Sequence, residues 1–188
     1  IPHGIDKNSL MKNKRETKPN TMLYCSSIGR GLQSIFDNWI ELKKNHPHLE
    51  LYITYGYSIE KKLSATLKKE QEAKEYDSDL QFLCDNLGIH YLGSVNKDRM
   101  EQLYWECEYW CLPLNKPQSE LFCFNAIKSQ FCGCIPVVYK KGALQETVRN
   151  YINFDDFVQG DLTIRKGTKI PSYEWSDVVD KYWKQILK

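Results

Sequence analysis

A parallel α/β sheet with helices on both faces is the fold this sequence predicts, and three observations predict it. Short, continuously apolar runs recur along the chain, each run is separated from the next by a segment with helical spacing, and glycine or proline punctuates the joins. Strands of that kind are buried on both faces, and right-handed crossovers place the helices over them. At 188 residues, with 41% hydrophobic and 27% charged residues, the chain is long enough for about one ordinary domain with a real core.

The elements follow in order. Residues 1–21 open on Ile1-Pro2-His3-Gly4-Ile5-Asp6 and continue as a polar, basic stretch (Lys12, Lys14, Arg15, Lys18). This stretch has no core-facing period, so residues 7–21 are expected as an exposed loop and packing is expected to begin at about Met22. The first strand is expected at 22–25. Leu32, Ile35, Phe36, Trp39 and Ile40 then fall at helical spacing, with an end expected near His46-Pro47 because proline bars its predecessor from helical geometry. Residues 49–55 alternate and branch like a strand.

A charged segment over 59–79 reads as a solvated helical face, and Leu80, Phe82, Leu83 and Leu87 lead to a strand at 89–92. A helix over 97–105, a strand at 109–112, a helix over 120–131, a strand at 135–138 and an amphipathic helix over 174–187 complete the reading. The opening at Ile1 without a methionine gives the expectation of a domain taken from a longer gene product.

Net charge is +2, too balanced for a nucleic-acid-wrapping protein. No run approaches the ~18 apolar residues of a membrane span. Seven cysteines, mostly inside apolar runs, are expected as free thiols of a cytoplasmic protein. Neither Cys107 with Cys111 nor Cys132 with Cys134 follows a zinc spacing, so no metal is expected. No P-loop lysine motif, nucleophile elbow or two-histidine helix motif is present.

In a doubly wound sheet ligands bind beyond the carboxyl ends of the strands, which singles out the loops after Cys25, Tyr55, Leu92, Leu112 and Val138. Gly29-Arg30-Gly31-Leu32-Gln33-Ser34 imitates a dinucleotide fingerprint, but serine replaces the third small residue and Tyr55-Gly56-Tyr57 stands where an acid should close the second strand. A nicotinamide or flavin cofactor is therefore disfavoured. The turn suits a phosphate all the same, because glycines let backbone approach closely and Arg30 offers a forked donor. The alternative is a plain strand-to-helix turn with an arginine in solvent. Glu120 stands at the start of the helix expected over 120–131, where it either meets a ligand or caps the helix.

Taken together, these segments resemble the carboxy-terminal, Rossmann-like domain of GT-B glycosyltransferases, in particular the retaining family-four (group 1) type. Ile1 to Asp6 resembles the "(I/V)PNGID" hinge, Arg30-Gly31-Leu32 the "(K/R)GL" phosphate turn, and 51–56 the "L.I.G" strand that ends at Gly56. Leu92-Gly93-Ser94-Val95 is similar to the "LG.V" turn near the nucleobase. Residues 113–138 resemble "PS..E.FG...LEA.A.G.PVV", and Gly142 to Glu146 resembles "GG..E".

The resemblance implies a transferase that takes a sugar from a nucleoside diphosphate sugar, with no metal and no other cofactor, its acceptor half lying in an amino-terminal domain outside these 188 residues. It further implies that Glu120 contacts the sugar hydroxyls and acts catalytically. Gly29, Arg30, Gly31, Gly56, Ser94, Val95, Phe122, Cys123 and Lys128 would bind the donor, and the isolated domain would be inactive. Two departures stand out. Lys128 occupies the place of a second glutamate that holds the ribose, and Cys25 falls about where an arginine is expected. A carboxylate accepts hydroxyl bonds whereas an ammonium only donates, so ribose recognition must change. On a helix running on from Glu120, Lys128 would lie two turns along, aimed at the ribose or at solvent. The alternative function is a catalytically inactive sugar-nucleotide-binding or interaction module.

Overall fold

A computed structural model describes residues 4–27, 29–55, 87–114, 122–167 and 174–186, with 181–186 described by backbone alone. The described strands are β1 (Lys18–Tyr24), β2 (Glu50–Thr54), β3 (Ile89–Gly93), β4 (Cys107–Leu112), β5 (Ile135–Val138), β6 (Asn150–Asn153) and β7 (Arg165–Lys166). The helices are α1 (Lys7–Lys12), α2 (Leu32–Asp37), α3 (Trp39–Asn45), α4 (Lys97–Glu106), α5 (Phe124–Phe131), α6 (Leu144–Thr147), α7 (Phe154–Val158) and α8 (Trp175–Ile186).

The strands form one sheet in the order β3-β2-β1-β4-β5-β6-β7, parallel throughout except for the β6–β7 pair. The chain therefore steps outward from β1 to β3 and then crosses back to β4. With right-handed crossovers, α2 and α3 cover one face of the sheet and α4 and α5 the other. The reversal between β1 and β4 is the topological switch point at which such sheets bind ligands.

The centre of the sheet is dry because its strands carry no polar alternation. Leu23, Leu51, Trp110, Cys111, Val137 and Val138 are all buried, as expected of strands covered on both sides. The five strands expected from the apolar runs are present, with β1 and β4 extended toward their amino ends.

Four features differ from the sequence expectation. The exposed loop expected over 7–21 instead holds α1, capped by Asp6 accepting from the Ser9 N–H at 3.0 Å, and the first residues of β1. Ile5 and Leu10 are buried, so packing begins well before Met22. The single helix expected from Leu32 is two, broken at Asn38, whose side-chain amide donates to the Ser34 carbonyl at 2.8 Å and competes with helix continuation. The helix expected from Glu120 begins at Phe124: Phe122 lies outside it, and Cys123, its N-cap, is extended at φ −102° and ψ 92°. The helical spacing from Lys128 thus does not run back to Glu120. The amphipathic helix at the carboxyl end is present as α8, whereas the charged segment at 59–79 lies outside the described residues.

Gly31 fixes the entry to α2. Its φ is +103°, and a Cβ built there would sit 2.8 Å from the Pro113 carbonyl oxygen beyond β4. Gly31→Ala would place an L-residue in left-handed geometry and push the β1 loop off the β4 loop, at a cost of about 2 kcal/mol or more. Chemical denaturation tests this, and a change below about 0.5 kcal/mol, typical of a neutral surface substitution, would contradict the close approach.

Cys25, Cys107, Cys111, Cys132 and Cys134 are buried free thiols, Cys123 is buried as well, and Cys84 lies outside the described residues. Burial pushes the Cys25 thiol up to about 11 and the Cys107 and Cys132 thiols up to about 12, leaving little reactive thiolate at neutral pH. All seven thiols are expected to react in denaturant without reductant. Fewer than seven would mean a disulfide.

Candidate functional site

At the carboxyl ends of β1, β2 and β3, bounded by the first turns of α4 and α5, lies a cavity of about 560 Å³. That is within the ~300–1,000 Å³ range of small-molecule sites. Its position follows from the topology, because loops leaving parallel strands converge where the strand order reverses.

The β1 loop is held by its own backbone. Tyr24 is buried and its hydroxyl donates to the Ser27 carbonyl at 2.6 Å, while the Arg30 N–H donates to the same carbonyl at 2.9 Å. These bonds pin the turn from both sides, and Arg30 lines the cavity from it. Gly29 is exposed on this turn and Gly31 packs against Pro113, so neither lines the cavity itself.

The β2 end contributes Tyr55, at φ +79° with its ring partly exposed. A tyrosine in left-handed geometry is strained, and such strain collects at ligand sites. Its N–H donates to the Gly93 carbonyl at 2.7 Å, next to an irregularity in the β2–β3 register between Ile53 and Thr54. Ser94 and Val95 follow directly and form part of the wall.

The rear wall comes from α4 and α5. The buried Tyr104 hydroxyl donates to Asn125 Oδ1 at 2.7 Å, and Asn125 Nδ2 donates to the Cys25 carbonyl at 2.7 Å. Trp110 Nε1 donates to Cys25 Sγ at 3.3 Å. This chain of bonds ties both helices to the end of β1 and fixes the Asn125 amide at the cavity surface. Desolvation holds the Tyr104 phenol well above its ordinary value, so it stays a donor.

Among the described residues, four charged side chains line the cavity: Arg30, Lys97, Lys128 and Glu101. Glu101 is only 2% exposed. Its carboxylate accepts from Ser9 Oγ at 2.9 Å and Asn13 Nδ2 at 2.9 Å, and Lys97 Nζ lies 3.7 Å away. The described part of the wall is therefore cationic, three charges to one, which suits an anionic ligand.

Of the residues singled out from the sequence, Arg30, Ser94, Val95 and Lys128 meet at this cavity. Phe122 and Cys123 lead into α5 without lining it, Cys123 being buried. Gly56 and Glu120 lie outside the described residues. Glu101, Tyr104, Asn125 and Tyr55 were not anticipated. A signal existed for Glu101, a charged residue on the inward stripe of α4 formed by Met100, Leu103 and Tyr104, but none for the left-handed backbone of Tyr55.

Among the described residues no group of three metal-ligating side chains is assembled, and no helix is long and apolar enough to cross a membrane.

No protein-family model matches the sequence, and neither does any curated protein. Solved structures do match. AviGT4, a glycosyltransferase involved in avilamycin A biosynthesis, is similar over 98% of this chain and 55% of its own, at a TM-score of 0.59 and 11% identity. HepE of Anabaena in complex with UDP-glucose is similar over 98% of this chain and 47% of its own, at a TM-score of 0.54 and 15% identity. OtsA, solved without ligand, covers 84% of this chain and 40% of its own, at a TM-score of 0.54 and 9% identity. The chain thus spans about half the length, or less, of these structures, and at such identities the likeness is one of fold. It shares the Rossmann-like α/β fold of part of these GT-B glycosyltransferase structures.

Proposed function

We propose that the chain is the donor-binding half of a glycosyltransferase, which takes a sugar from a nucleoside diphosphate sugar and passes it to an acceptor held by a separate amino-terminal domain. The observation that carries this reading is the cationic cavity at the switch point of a GT-B half-domain, where Arg30 and Lys128 face the loops after β2 and β3. Arg30 offsets the charge that develops on the leaving diphosphate. Ser94 and Val95 border the nucleobase, and the exposed Tyr55 ring offers it a flat apolar face.

Assignment of Glu120 to the sugar hydroxyls, of Gly56 and of the amides near Phe122 and Cys123 to the donor, and of a retaining, hexosyltransferase-like outcome rests on the resemblance of residues 113–138. The reaction needs no metal in this reading, since Arg30 supplies the positive charge at the diphosphate. Buried thiols such as those of Cys25, Cys107 and Cys111 favour a cytoplasmic setting. Lys128 favours a second reading, a sugar-nucleotide-binding module without transferase activity, because an ammonium cannot accept the ribose hydroxyls.

Thermal melting tests the binding function directly. UDP or GDP at a hundred times its Kd is expected to stabilise the chain by about 2.7 kcal/mol, raising Tm by roughly 5 to 10 °C for a domain of this size. A melting curve unmoved by both nucleotides at millimolar concentration would contradict the proposal.

A further inference from the structure

Lys128 is half-buried in the cavity wall, and among the described residues it has no carboxylate partner. The acid that shares the wall, Glu101, is committed elsewhere: Ser9, Asn13 and Lys97 hold it. The buried thiols of Cys25 and Cys132 also feel the Lys128 charge. Both are neutral thiols at physiological pH and offset none of it. A partly desolvated cation without a counter-charge is unfavourable alone and is relieved by an anion that enters the cavity.

Arg30 approaches the same cavity from the β1 loop, on the opposite side of the sheet's reversal from α5, so the two cations sit on separate elements rather than forming one fork. A diphosphate that engages Arg30 alone leaves the Lys128 ammonium unanswered. Resting on the nucleoside diphosphate reading above, we propose that Lys128 selects a ligand with a negative charge beyond that diphosphate, a carboxylate on the sugar or a further phosphate, seated against its ammonium.

The test is a calorimetric series on the whole chain with matched probes, UDP-glucose against UDP-glucuronate for a sugar carboxylate and UDP against UTP for a further phosphate. At least one charged member is expected to bind tenfold or more tightly than its partner, and the pair that shows the preference identifies the source of the charge. Lys128→Gln, checked for an unchanged melting temperature, should bring that ratio to within about twofold, and Lys128→Glu should reverse it. The preference should also shrink as salt rises.

Binding of UDP with no preference for either charged probe would overturn the proposal and leave the nucleotide site standing. A preference that survives Lys128→Gln would overturn it as well, as would tighter UDP binding by Lys128→Glu, the outcome of a lapsed ribose site. Failure of all four nucleotides to bind would remove the nucleotide reading itself, and this inference with it.

Discussion

Trp110→Ala is expected to cost about 3–5 kcal/mol of stability, which would be a large fraction of the ~5–15 kcal/mol that holds a domain of this kind together. Trp110 lies in the middle of β4, in register with Leu23 of β1 and Pro136 of β5, and is only 1% exposed. Its removal leaves a cavity between one face of the sheet and the layer that covers it, which the paired strands on either side cannot collapse to fill. At roughly 2–4 °C of Tm per kcal/mol for a chain of this length, the melt should fall by about 6 to 20 °C. Trp110 also holds Cys25 from beneath at 3.3 Å, so the substitution withdraws support from the floor of the binding cavity. Trp110→Phe keeps most of the volume and loses only the N–H, and should cost well under half as much. If Trp110→Ala cost less than about 1 kcal/mol, the packing of the sheet centre would be wrong.

The elements that could be read from the sequence are those whose physics is local. Residues 135–138 are apolar and three of the four, Ile135, Val137 and Val138, are β-branched, and the strand occupies those positions unchanged. The end of α3 at Asn45, with His46 as its C-cap, follows from the proline at position 47. What could not be read depends on partners distant in sequence. α1 is six residues long with one buried side chain, Leu10, and gains its place through Ser9 and Asn13 bonding to Glu101, some ninety positions away. β7 is two residues long and pairs antiparallel with β6, with no hydrophobic period to announce it.

The start of α5 shows a different limit. Phe122, Cys123 and Phe124 continue an apolar pattern that reads as helix, yet Cys123 is extended and makes no side-chain cap. Pattern alone does not mark a terminus that lacks a capping residue.

The site divides along the same line. Arg30, Ser94 and Val95 were legible because they follow strands, where the topology of the sheet places ligands. Lys128 was legible as a departure from a motif. Asn125 and Tyr104 gain their position only when α4 and α5 come together behind the end of β1, through the bonds between Tyr104, Asn125 and Cys25.

Arg30→Ala is the second large effect, and it bears on function rather than stability. The guanidinium lines the cavity from a turn fixed by the Ser27 carbonyl, which both the Tyr24 hydroxyl and the Arg30 N–H reach. Truncation removes the forked donor while the backbone bonds of the turn to Ser27 remain. Charge-assisted hydrogen bonds of this kind contribute about 1.5–3 kcal/mol each, so the affinity for UDP should fall by about 10- to 150-fold. The loss should be greater for UDP than for UMP, because the second phosphate is the group Arg30 is assigned to meet. Calorimetric titration of the wild-type chain and Arg30→Ala with UDP therefore tests the central claim most directly. Saturable binding by the wild type that weakens at least tenfold in the variant is the result expected here, and no binding by the wild type, or equal affinity in both, would contradict it.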